Sequence, residues 1–137
     1  HGVDRSRLLF APRVAPPEYL ARFQCADLFL DTFPYNAGTT ASDALWMGTP
    51  ILTLSGRSYI SRMAGSLLTA VGLPELATTS LADYERLAVV LGRQPARVQS
   101  YKRYLAEHGR SSPLFDLPQI VRDIEAQYER LALAHRA

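Results

Sequence analysis

The sequence is short of several things. It has one cysteine, Cys25, among 137 residues. An internal disulfide framework and a multi-cysteine zinc site are therefore excluded, and Cys25, set in an apolar stretch, is expected to be a buried small side chain. It has little net charge: 15 basic against 13 acidic side chains leave +2, too little to draw nucleic acid or a membrane surface by bulk attraction. No apolar run approaches the ~18 residues of a spanning helix, and no signal peptide is evident. His1, His108 and His135 have no metal-ligand spacing. GxGxxG, a P-loop and a nucleophile elbow are all missing. The chain also lacks a starting methionine, as a fragment or processed product would.

What is present reads as one soluble globular domain. Apolar residues make up 47% of the chain and charged residues 20%. Short, nearly all-apolar runs at Leu8–Phe10, Leu28–Leu30, Pro50–Leu54 and Leu76–Thr78 alternate with helical patterns. Unbroken apolar runs of this length are how parallel strands covered on both faces read. Helices are expected from Pro16, from about Thr40 to Gly48, from Ser61 to Gly72, and from the capping box at Ser80 and Asp83 to Gly92. Beyond Thr78 only helices follow, one around Val98, Tyr101 and Leu105 and one capped by Asp116. The fold class expected is α/β, a partial doubly wound parallel sheet of three to four strands with a helical C-terminal tail. We divide it into residues 1–110, a Rossmann-like half-domain, and residues 111–137, the tail.

Ligands of open parallel sheets bind outside the carboxyl ends of the strands. Three segments occupy such positions, 11–17, 32–40 and 55–60. The middle one, Phe33-Pro34-Tyr35-Asn36-Ala37-Gly38-Thr39-Thr40, runs straight into a helix. A helix start offers unpaired N–H groups and partial positive charge. Gly38 lets an anion approach the backbone, Thr39 and Thr40 add hydroxyls, and Asp43 can accept from vicinal sugar hydroxyls. The same residues also read as a cap, with Thr39 or Thr40 at the N-cap and Asp43 closing the box. Both readings stand, and they are compatible. Arg22 and Tyr19 share a face of the first helix, either as a solvated charge with a packing ring or as part of the site. Arg57 and Arg62 bracket the third segment. The basic residues between Arg93 and Arg110 read as a solvated helical face, with Tyr101 and Tyr104 turned inward.

The stretch ADLFLDTFPYNAGTTASDALWMGTPILTLSGRSYISRMAGSLLTAVGLPELATTS, together with the preceding RLLFAPRV and the later SSPLFD, closely resembles the bacterial O-linked N-acetylglucosamine transferase, or SPINDLY-like, family. The resemblance implies part of the UDP-binding lobe of a two-lobed GT-B glycosyltransferase, usually preceded by tetratricopeptide repeats. It implies transfer of N-acetylglucosamine from UDP-GlcNAc to Ser or Thr of a protein acceptor, with inversion and no required cofactor or metal, in the cytoplasm. By position, Thr39, Thr40 and the Gly38 backbone would hold the diphosphate and Asp43 the ribose. Arg22, the backbone at Val14, and Tyr19 would meet the uracil. No catalytic residue is expected within the chain, so the segment alone should be inactive. Gly38, Tyr19 and Pro16 stand where family members often carry His, His and Lys. A transferase for another nucleotide sugar, or a non-catalytic interaction module built on the same fold, are the alternatives. The Ile120, Ile124, Tyr128 and Leu131 face of the last helix is expected to pack on the absent lobe.

Overall fold

The computed structural model describes residues 2–135; His1 lies outside them. Three strands, β1 (Phe29–Leu30), β2 (Ile51–Leu54) and β3 (Ala77–Thr78), form a parallel sheet in the order β1-β2-β3. Phe29 is in register with Ile51, and Thr53 with Ala77. All four residues of β2 are buried. This is the expected signature of a central strand covered on both faces and explains its nearly all-apolar run.

Six α-helices accompany the sheet among the described residues: α1 (Pro16–Arg22), α2 (Thr39–Trp46), α3 (Met63–Val71), α4 (Leu81–Arg93), α5 (Pro95–His108) and α6 (Leu117–His135). Helices α2, α3 and α4 pack on β2. The core joins Leu45, Ile51, Leu68, Leu76 and Leu91, each at most 1% exposed, to Leu105 of α5. Local chemistry sets the helix ends. The Ser80 hydroxyl accepts from the Asp83 N–H at 3.1 Å and donates to the Asp83 carboxylate at 2.7 Å, so the expected capping box forms. The Arg86 guanidinium and the second of these bonds, from the Ser80 hydroxyl, hold the Asp83 carboxyl below the usual carboxylate range. Gly72, at φ +88°, ends α3 in the left-handed conformation, and the Tyr104 hydroxyl donates to the Val71 carbonyl beside it. Asp116 accepts from the Gln119 N–H at the start of α6. Tyr101 and Tyr104 face inward as expected, Tyr101 at 9% exposure.

Four expectations fail. Leu8–Phe10 is not a strand; Leu9 and Phe10 are 91% and 92% exposed. A strand needs a ladder partner, and among the described residues none lies alongside this run. Gly92 does not end α4, which runs on to Arg93, where Pro95 opens the next helix. Cys25 is exposed, not buried, because the turn after α1 brings it to the surface. Thr39 and Thr40 do not cap α2: Gly38 holds the N-cap position, and no side chain caps it.

Candidate functional site

The loop from β1 to α2 is built on a buried carboxylate. Asp31, 5% exposed, ends β1. Its Oδ1 accepts from the N–H groups of Thr32 and Ala37, at 2.9 and 2.8 Å, and its Oδ2 from the Thr53 hydroxyl at 2.6 Å. Taking three donors, the carboxylate pulls both ends of the loop onto β2. Asn36 closes the same loop. It is fully buried, and its amide donates to the Thr32 carbonyl at 2.7 Å and to the Leu54 carbonyl at 3.3 Å. Two carbonyl acceptors fix which way the amide faces, and Asn36 Oδ1 is left without a partner. From α4, the Tyr84 hydroxyl donates to the Asp31 carbonyl at 2.9 Å; burial and the Asp31 charge raise its pKa above the ordinary phenol value.

This bracing delivers the start of α2 into a cleft of about 850 Å³ lined by Asp31, Asn36, Gly38, Thr39, Thr40 and Asp43, with Ile60 and Met63 opposite. Because Gly38 brings no capping side chain, the first-turn N–H groups remain available to an anion. Thr39 and Thr40 are exposed. Gly38, Thr39, Thr40 and Asp43, singled out as a candidate site from the sequence, thus line one cavity.

Tyr19 and Arg22 lie next door. With Phe23, Leu28 and Phe29 they line a smaller cavity of about 260 Å³, and Phe29 borders both. Tyr19 packs edge-on against Phe23, ring centroids 5.3 Å apart. Burial raises the Tyr19 pKa, the Thr40 hydroxyl lowers it by less, and the Asp43 carboxylate raises it further. The ring therefore reaches from α1 to the start of α2. Arg22 donates to the Pro12 carbonyl at 2.9 Å and so ties down the segment that carries the half-buried Val14. Val14 lines neither of these two cavities. Arg57 and Arg62 are exposed; Ile60 between them is what meets the cleft. Among the described residues no group of three or more His, Cys, Asp or Glu is placed to hold a metal ion.

Sequence reading missed Asp31, Asn36 and Thr53 as the frame of the site. The available signal was a lone charge closing an apolar strand, followed five residues later by an amide.

A parallel sheet with a helix start beside a cleft at its carboxyl edge is the architecture of a nucleotide-type α/β lobe. Residues 1–124 match the model of glycosyl transferase family 41, and the chain belongs to that family. Among its relatives is a UDP-N-acetylglucosamine–peptide N-acetylglucosaminyltransferase of Caenorhabditis elegans, 39% identical over 90% of this chain and 11% of the relative. A protein of Arabidopsis thaliana named as a probable enzyme of that kind is 33% identical over 98% of this chain and 14% of its own length. The structure superposes with a TM-score of 0.86 on a mutant O-GlcNAc transferase of Thermobaculum terrenum, 32% identical, covering 94% of this chain and 25% of that one. The expected fold class, a partial parallel α/β sheet from a GT-B lobe with a helical tail, is the one observed. The chain spans between a tenth and a quarter of the length of these relatives. Among the described residues, no helix is long and apolar enough to cross a membrane.

Proposed function

We propose that this chain is the donor-binding segment of a protein O-glycosyltransferase that takes N-acetylglucosamine from UDP-GlcNAc to Ser or Thr hydroxyls of a protein acceptor in the cytoplasm. The observation that carries the reading is the uncapped start of α2 inside the cleft, with two threonine hydroxyls at its first turn and Asp43 one turn on. The helix N–H groups and Thr39 and Thr40 receive the diphosphate, Asp43 accepts from the ribose hydroxyls, and Tyr19 and Arg22 border the base. Stabilising a leaving diphosphate by preorganised donors is what such a lobe contributes to glycosyl transfer. No metal or cofactor enters this scheme. The acceptor-positioning groups belong to a second lobe, so the segment by itself transfers nothing. Calorimetric titration of UDP into the full-length protein tests the reading. Asp43→Ala and Thr40→Val are each expected to weaken binding about tenfold, the worth of one charge-assisted hydrogen bond. Unaltered UDP affinity in both variants would sink the assignment.

We further propose that residues 111–137 are a tail seated on that second lobe. Leu117, Val121, Ile124, Tyr128 and Leu131 recur at alternating spacings of four and three, so they form one stripe along α6. The five are between 44% and 68% exposed. Ile120, half-buried, flanks that stripe. Produced alone, the chain is expected to bind an apolar dye, and Ile124→Gln with Leu131→Gln to remove most of that signal. Dye binding unchanged by the pair would refute an exposed stripe.

A further inference from the structure

Helix α2 carries Thr39 and Thr40 at its first turn and Trp46 at its last. Trp46 follows Thr39 by seven residues and Asp43 by three. The three therefore share one side of the helix, and a rotation of α2 about its axis moves them together. The side packed on the core is small. Ala41 and Ala44 are fully buried, and Leu45 is the one large side chain with them. Two alanines allow close approach but resist sliding and rotation little. The helix is held at its ends instead. At the start the hold is the Asp31 loop. At the far end it is Trp46, which lines neither cavity and is 42% exposed.

What grips Trp46 is the root of the tail. The Phe115 ring meets it edge-on, centroids 5.0 Å apart, and the Arg110 guanidinium lies over it at 4.6 Å. Arg110 and Phe115 flank a tight turn. Gly109 is buried there, the Ser112 hydroxyl donates to the Gly109 carbonyl at 2.6 Å, and the Phe115 N–H donates to the Ser112 carbonyl at 3.0 Å. Helix α6 starts two residues after Phe115, and the Leu117 N–H donates back to the Phe115 carbonyl at 3.0 Å. The donor readings of α2 and the lobe-seating reading of α6, on which this inference rests, are thus joined by one side chain. A tail seated on the second lobe fixes its root, and with it the end of α2, before the nucleotide arrives. Coupling of this kind is reciprocal.

We propose that Trp46 is a positioning residue: through Phe115 and Arg110 it couples the seating of α6 on the second lobe to the hold of α2 on the diphosphate, each strengthening the other.

The test is a double-mutant cycle in the full-length protein, read as UDP affinity by calorimetry, with melting temperature as the check on folding. The tail pair, Ile124→Gln with Leu131→Gln, is expected to weaken UDP binding about fivefold, the low end of ordinary coupling between sites. In Trp46→Ala the same pair should change UDP affinity by no more than about twofold, whereas two independent effects would simply add. In Trp46→Phe, which keeps a ring between Phe115 and Arg110, the fivefold loss should return. If Trp46→Ala does not fold, Phe115→Leu with Arg110→Gln opens the grip from the other side and must give the same result. Equal losses from the tail pair with and without Trp46 would overturn the inference, as would a tail pair that leaves UDP affinity unchanged or tightens it. Those results leave the nucleotide reading intact, and the dye measurement judges the exposed stripe separately. A wild-type protein that binds no UDP overturns the nucleotide reading and this inference together.

Discussion

Replacing Asp31 with alanine is expected to destabilise the chain by on the order of 3 kcal/mol and to release the loop before α2. The carboxylate takes three donors while 95% buried: the N–H groups of Thr32 and Ala37 and the Thr53 hydroxyl. Hydrogen bonds to a charged group are worth about 1.5–3 kcal/mol each, and donors left unpaired in the interior cost more than the bond itself. Against a total stability of about 5–15 kcal/mol for a domain, this is a large fraction. Asp31→Asn should cost much less. Its amide oxygen can keep both backbone N–H groups, and the Thr53 hydroxyl can turn from donor to acceptor for the new NH₂. Urea unfolding of the two variants measures the difference. Equal losses would mean that the charge, and not the bonding pattern, holds the loop.

Gly38→Asp is expected to lower UDP affinity by about 100-fold or more, roughly 2.7 kcal/mol. A carboxylate at the start of α2 competes with the diphosphate for the same first-turn N–H groups. It also sets a negative charge beside a negative ligand. At about 4 Å and an effective dielectric near 20, two unit charges interact by roughly 4 kcal/mol. The backbone of Gly38, with ψ −86°, departs from the extended N-cap geometry, so little helix stabilisation offsets the loss. Gly38→Asn has nearly the same shape and can still compete for the N–H groups, but it carries no charge and should lose clearly less UDP affinity than Gly38→Asp. The gap between the two variants should narrow as salt is added. A gap that does not change between low and high salt would show that shape, not charge, is responsible.

Most of the architecture was legible because it rests on local signals. The nearly all-apolar PILTL run gave away a central strand, Ser80 and Asp83 a helix start, and Gly72 a helix end. The site was legible as a segment but not as a mechanism. Nothing in Gly-Thr-Thr distinguishes a cap at Thr39 or Thr40 from one at Gly38, since both place the same hydroxyls at the first turn. The frame beneath it was not legible, because Asp31, Asn36 and Thr53 meet across up to 22 residues of chain, and such contacts leave no periodicity. Leu8–Phe10 misled for the opposite reason: its local pattern is that of a strand, yet strand formation is a property of pairs. The family resemblance added the donor and the acceptor, which no spacing in 137 residues could provide.

The same pairing argument bears on how the chain behaves in the test tube. β1 bonds to β2 on one side only among the described residues, its Leu30 is 54% exposed, and Leu9 and Phe10 stand open to water. An unpaired sheet edge in a chain that also exposes an unpaired apolar run is a template for pairing between copies. At high concentration, the Leu8–Phe10 run of one copy has the β1 edge of another to add to, so the isolated chain carries its own route to aggregation.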